Sequence, residues 1–185
     1  MTSQDVILGI LMKRSLSGYD IKHMFETVFS YFYNASFGTI YPTLSKMEKE
    51  GLITKESVIQ EGRPNKNVYS ITEEGQKHFK AYMYSPMQAN EFKSDAMTRL
   101  FFGEFIEVEV IIEYLENGVS STKNDLERLQ KMYENGKSKS LMSQTQEICI
   151  QIGIENMEST LRTLMAGIER LSNLKVEKGQ NESGK

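Results

Sequence analysis

Residues 36–51 read Ser36-Phe37-Gly38-Thr39-Ile40-Tyr41-Pro42-Thr43-Leu44-Ser45-Lys46-Met47-Glu48-Lys49-Glu50-Gly51. Ile40, Leu44 and Met47 stand four and then three residues apart, the spacing of one buried helical stripe. Thr39, Tyr41, Thr43, Ser45 and Lys46 are left on the other faces. Pro42 costs little in the first turns, where the carbonyl it displaces belongs to Gly38. Gly51 is a natural helix stop. A helix whose first half is small and hydroxyl-rich can approach a duplex closely and hydrogen-bond to bases and phosphates.

Outward from this helix, both flanks agree with that reading. Thr2-Ser3-Gln4-Asp5 has the form of a capping box, followed by Val6, Ile7, Ile10 and Leu11 at helical spacing. This predicts a first helix ending near Arg14. Ser17-Gly18-Tyr19-Asp20 repeats the box and opens a second, with Ile21, Met24, Phe25 and Val28 on one face. A short helix promptly followed by another is the start of a helix-turn-helix. An aromatic cluster (Phe29, Tyr31, Phe32, Tyr33) separates it from the third helix. On the other side, residues 52–60 and 67–72 have strand character, joined by the turn Glu61-Gly62-Arg63-Pro64-Asn65-Lys66. Arg63 and Lys66 place two positive charges at its tip. Two strands with a basic tip after a recognition helix make a wing, and an arginine there can reach a narrow minor groove. Thr72-Glu73-Glu74 caps a fourth helix running to about Tyr84.

The order of these motifs resembles the PadR family of transcriptional regulators. The matching residues are Leu16-Ser17-Gly18-Tyr19-Asp20-Ile21, Gly38-Thr39-Ile40-Tyr41-Pro42-Thr43-Leu44, Leu52-Ile53, Gly62-Arg63-Pro64 and Val68-Tyr69-Ser70-Ile71-Thr72-Glu73-Glu74-Gly75. Several separate segments match in order across roughly residues 3–84. The second half is similar, more loosely, to the branch that includes the phenolic acid repressors, through Phe92-Lys93-Ser94-Asp95-Ala96-Met97-Thr98-Arg99-Leu100-Phe101-Phe102 and two long helices. The resemblance implies a dimer that represses transcription until an effector binds.

The whole chain sets bounds on these readings. Its 185 residues suit one large domain or two small ones, and a hydrophobic share of 39% is enough for a core. Three prolines and largely helical spacing predict a mainly α protein. The one cysteine, Cys149, excludes an internal disulfide framework and fits a reducing cytoplasm. No stretch approaches the roughly 18 apolar residues of a membrane span, and the apolar run 6–12 reads as a core helix, not a signal peptide. Net charge is −3, yet residues 1–84 hold 10 Lys/Arg against 9 Asp/Glu, and residues 85–185 hold 12 against 16. A DNA reader needs only a local basic face. No phosphate-cradling glycine loop, zinc spacing or Ser/His/Asp grouping is visible, and His23 and His78 each stand alone on a helix. No catalytic residue, metal or cofactor is expected.

In the second half, Val108, Ile112, Leu115, Val119, Thr122, Leu126, Leu129 and Tyr133 alternate spacings of four and three. Ile150, Ile154, Met157, Leu161, Leu164, Ile168 and Leu171 do the same. Such seams suit coiled-coil packing. Gly136 is read as the turn of an antiparallel hairpin, and a second subunit as the cover for its remaining apolar surface. Phe101, Phe102 and Phe105 could line space for a small aromatic or hydrophobic effector, or belong to core and dimer interface.

The expected organisation is a winged helix-turn-helix DNA-binding domain at 1–85, a helical, coiled-coil-like dimerisation domain at 86–174 and a disordered tail at 175–185. The expected DNA surface is Ser17, Tyr19, Ser36, Thr39, Tyr41, Ser45, Lys46, Arg63 and Lys66, with the Tyr41 ring turned inward and its hydroxyl toward a phosphate. The expected partners are double-stranded DNA with a palindromic operator and a second copy of the chain. The expected dimerisation residues are Val108, Ile112, Leu115, Val119, Leu126, Ile154, Met157, Leu161, Leu164, Ile168 and Leu171. The alternative, favoured by the acidic balance, is a protein-interaction module whose winged domain binds no DNA.

Overall fold

Thr2 starts the first helix, α1 (Ser3–Leu11), by a reciprocal capping box with Asp5. Asp5 is buried, and its Oδ2 accepts from the Thr2 backbone N–H at 2.7 Å and hydroxyl at 2.9 Å. The computed structural model describes residues 1–30, 33, 37–60, 63–89 and 94–182, with only the backbone at 37, 60, 63, 64 and 175–182. The chain forms two compact units, Met1–Asn90 and Glu91–Lys185.

The first unit is a winged helix-turn-helix. α1 stops at Leu11, short of Arg14, because Leu16–Ser17 must extend as a strand, β1, to join the sheet. Two residues of strand carry no periodicity of their own, so the sequence shows no sign of β1. α2 (Gly18–Met24) continues through a π turn at Phe25–Phe29. Tyr31, Phe32 and Ser36 lie outside the described residues. A 3₁₀ turn at Phe37–Thr39 leads into α3 (Ile40–Lys49).

Ile40, Leu44 and Met47 are all fully buried, alongside Ile7, Leu8, Ile21 and Phe25. Full burial stabilises by about 1.5–3 kcal/mol for each such side chain. Gly51 closes α3 with a left-handed φ of +72°. Its N–H donates to Glu48 O at 3.1 Å, and that of Leu52 to Met47 O at 3.0 Å. These are the paired bonds of a Schellman stop, whose positive φ favours glycine.

The sheet follows at once, with β2 (Ile53–Gln60) and β3 (Arg63–Ile71) pairing antiparallel and β1 on the other edge of β3. β3 therefore starts earlier than residue 67, and Arg63, Pro64, Asn65 and Lys66 belong to strand, not to the turn. Pro64 is tolerated because β1 reaches only Val68 and Tyr69, and because the ladder is irregular between Val58↔Lys66 and Gln60↔Arg63. There β3 carries one more residue than β2, and a bulge is where a missing N–H donor is tolerated. Thr72 then caps α4 (Glu73–Tyr84), and its hydroxyl donates to Gly51 O at 2.7 Å.

The second unit opens with α5 (Asp95–Phe101) and a 3₁₀ turn at Gly103–Phe105. Two long helices follow, α6 (Val108–Ser138) and α7 (Gln144–Glu182). They run antiparallel, since Gly118 faces Leu164, Gly167 faces Leu115 and Gly153 faces Leu129. Gly136 lies inside α6 and is not the turn. Met142 folds over it, and the reversal comes later, where Ser140 takes a φ of 51°. α7 is helical through residues 175–182, where the composition suggested an unstructured tail. Propagating an existing helix costs little, and Lys175, Glu177 and Lys178 are good helix formers. Among the described residues no helix is long and apolar enough to cross a membrane.

Candidate nucleic-acid interface

Burying Ile40, Leu44 and Met47 fixes the rotation of α3 and leaves Thr39, Tyr41, Ser45 and Lys46 exposed. Thr43, half-buried, donates its hydroxyl to Thr39 O at 2.7 Å. Lys46 pairs with Glu50 at 3.6 Å on the same helix while remaining 68% exposed. A surface pair of this kind is worth about 0–1 kcal/mol, so a phosphate could take the place of Glu50 at little cost. Thr2, Ser3, Gln4 and Asp5 from the start of α1 line an open cleft with Thr39, Thr43, Lys46 and, from α4, His78. Sequence periodicity gave no hint that the α1 start would border α3.

Tyr41 is half exposed, and its ring lies against Gly18 at the start of α2. A Cβ at Gly18 would stand 2.8 Å from Tyr41 Cε1. Tyr19 is 72% exposed and stacks on His23, with ring centroids 6.5 Å apart.

Two members of the expected DNA surface have partners within the fold. Ser17 is buried, and its hydroxyl donates to Asp20 Oδ2 at 2.6 Å while accepting from the Asp20 N–H at 3.1 Å. It caps α2 and offers nothing to solvent. Lys66 reaches back from β3 to Asp20 Oδ2 at 3.2 Å. The Ser17 hydroxyl holds the Asp20 carboxyl below the ordinary aspartate range; burial opposes this, and Lys66 adds to the lowering. Arg63 opens β3 opposite Gln60, beside the turn. Asp20 was read from the sequence only as a helix cap. Its second role depends on a lysine 46 positions away, which no local pattern reports.

In the second unit, Leu115 and Leu129 are buried between α6 and α7, and Ile111, one residue off the expected seam, is buried against Gly103 of the preceding 3₁₀ turn. Val108, Ile112, Val119, Leu126, Ile154, Met157, Leu161, Leu164, Ile168 and Leu171 are half-buried. The hairpin covers part of each seam within one chain, while Ile148, Ile152 and Met165 on α7 are more than half exposed. Phe101, Phe102 and Phe105 are exposed at 81%, 54% and 75%, the first two in an edge-to-face pair. Cys149 is exposed.

A family model described as the transcriptional regulator PadR-like family matches residues 7–81. The negative transcriptional regulator PadR of Bacillus subtilis (strain 168) is 30% identical over 129 residues, covering 69% of this chain and 71% of that protein. The crystal structure of the PadR-like transcriptional regulator BC1756 from Bacillus cereus is similar at a TM-score of 0.82 and 35% identity, over 93% of this chain and 99% of that one. Bacillus subtilis PadR in complex with operator DNA is similar at a TM-score of 0.74 and 25% identity, over 91% and 98%.

Proposed function

The chain belongs to the PadR-like family of transcriptional regulators, and from that premise we propose that it is a homodimeric repressor of a palindromic operator. The observation that carries the reading is the surface of the first unit. α3 buries its whole apolar stripe and turns Thr39, Tyr41, Ser45 and Lys46 outward, beside a two-stranded wing whose second strand starts at Arg63. A similar protein of known structure is in complex with operator DNA. In this reading α3 enters the major groove, Thr39, Ser45 and Lys46 meet bases or phosphates, and Tyr19 and Tyr41 touch the backbone. Ser36, which lies outside the described residues, joins them in this reading. Arg63 contacts the neighbouring backbone or minor groove.

A single helix would bind weakly, and two helices about one DNA turn apart read an inverted repeat. The half-buried seams of α6 and α7, with the exposed Ile148, Ile152 and Met165, supply apolar surface for pairing two copies. Bound over a promoter, the dimer blocks polymerase. A small aromatic or hydrophobic effector settling on Phe101, Phe102 and Phe105 would change the spacing of the two α3 helices. A shift of a few ångströms is enough to release the DNA, because both half-sites must fit together.

Selection of bound sequences from random duplex DNA tests the proposal, with the Lys46→Ala/Arg63→Ala double variant alongside. The expected result is an enriched inverted repeat for the parent and much weaker recovery for the variant. No enrichment at low salt would overturn the reading in favour of a protein-binding module.

A further inference from the structure

Asp20 stands where three elements meet. Its Oδ2 accepts from the Ser17 N–H at 3.3 Å and the Ser17 hydroxyl at 2.6 Å, and pairs with Lys66 Nζ at 3.2 Å. Ser17 is itself in β1, paired with Val68 of β3, and it caps α2. Lys66 lies opposite Val58, at the last regular pair before the ladder becomes irregular toward the wing tip.

We propose that Asp20 is a positioning residue that latches the wing to the start of α2, and that Lys66 is committed to this latch instead of to a DNA phosphate. The inference rests on the DNA-binding reading of the wing and changes the role of one of its lysines. The contrast with Lys46 decides it. Lys46 is paired along its own exposed helix and keeps 68% of its side-chain surface open. Lys66 is 42% exposed, bridges segments far apart in sequence, and meets a carboxylate already fixed by two bonds from a buried serine. Among the described residues no other strand lies beside the outer half of the two-stranded wing, which projects past β1, so a tether within that half sets its direction. The depressed pKa of Asp20 agrees with a carboxylate that stays charged there.

Asp20→Asn keeps an oxygen for the Ser17 bonds and removes the charge, whereas Lys66→Met keeps most of the aliphatic stem. In the free protein, amide hydrogen exchange should quicken along β2 and the first half of β3 in either variant, and no further in the double variant. The core amides of α1 and α3 should not change. Wing exchange equal to the parent's would overturn the latch. On duplex DNA, Lys66→Met should weaken binding several-fold while leaving the log–log salt slope unchanged. A slope shallower by about 0.9 per chain, the value for one lost phosphate contact, would overturn the assignment. Should the parent bind no duplex at any salt, the DNA-binding reading fails, and the exchange experiment still decides the latch.

Discussion

Gly18 is small because the Tyr41 ring lies where its Cβ would be. A Cβ there would stand 2.8 Å from Tyr41 Cε1 and 3.4 Å from Tyr69 Cε2, so alanine must displace the Tyr41 ring. Tyr41 is half exposed and can yield, which spares the core. We expect Gly18→Ala to melt cooperatively like the parent and to bind operator DNA several-fold more weakly; parental affinity would show that the Tyr41 position is irrelevant. Leu44→Ala should act differently, costing about 2–5 kcal/mol of stability because a fully buried side chain leaves a cavity, as urea unfolding would measure. The buried role of Leu44 was legible in the sequence because helical period is a local property. The duties of Ser17 and Lys66 were not. Residue type marks both as able to touch DNA, and only the fold shows that each also meets Asp20.

At the scale of elements, helices with a cap and a stripe and the two wing strands were readable, whereas β1 and the first residues of β3 were not. β1 is two residues long and exists because β3 is there to pair with it. β3 runs through Pro64 because the ladder is irregular at that point. The α6–α7 hairpin carries a polar clamp that its apolar seams did not announce. The Tyr133 hydroxyl donates to Glu147 Oε1 at 2.8 Å and accepts from Gln151 at 3.1 Å, while Lys137 reaches the hydroxyl at 3.1 Å and Glu147 at 3.2 Å. The Tyr133 bond, then Lys137, lowers the Glu147 pKa; the Tyr133 bond, then Glu147, raises that of Lys137. A lowered acid stabilises the fold above its ordinary range and loses that contribution as pH falls through the folded value. A raised base stabilises below its ordinary range and loses its contribution as pH rises through the folded value. The melting-temperature gap between parent and Glu147→Gln should therefore be flat around neutrality and close in acid below the ordinary glutamate range. A gap that persists unchanged into strong acid would contradict the clamp.

The whole molecule divides its labour by charge and by surface. Residues 1–84 are close to balanced and carry the polar face of α3, while the acidic excess lies in residues 85–185. That split was legible from composition, and it explains how an acidic chain can still present a DNA surface. The face proposed for pairing was less legible, because heptad spacing cannot tell whether a seam is covered by its own hairpin or by another chain. Leu115 and Leu129 are covered within the chain, whereas Ile152 and Met165 are left open. Sedimentation should find a dimer for the parent and a folded monomer for Ile152→Lys/Met165→Lys; a dimer in both would place the interface elsewhere. The central claim, that α3 and the wing bind DNA through named cations, is tested most directly by the salt dependence of affinity for the selected operator. Parent protein should show a steep negative log–log slope, shallower by about 0.9 for each cation removed from each chain in Lys46→Ala/Arg63→Ala. Identical slopes in the two proteins, or binding indifferent to salt, would contradict it.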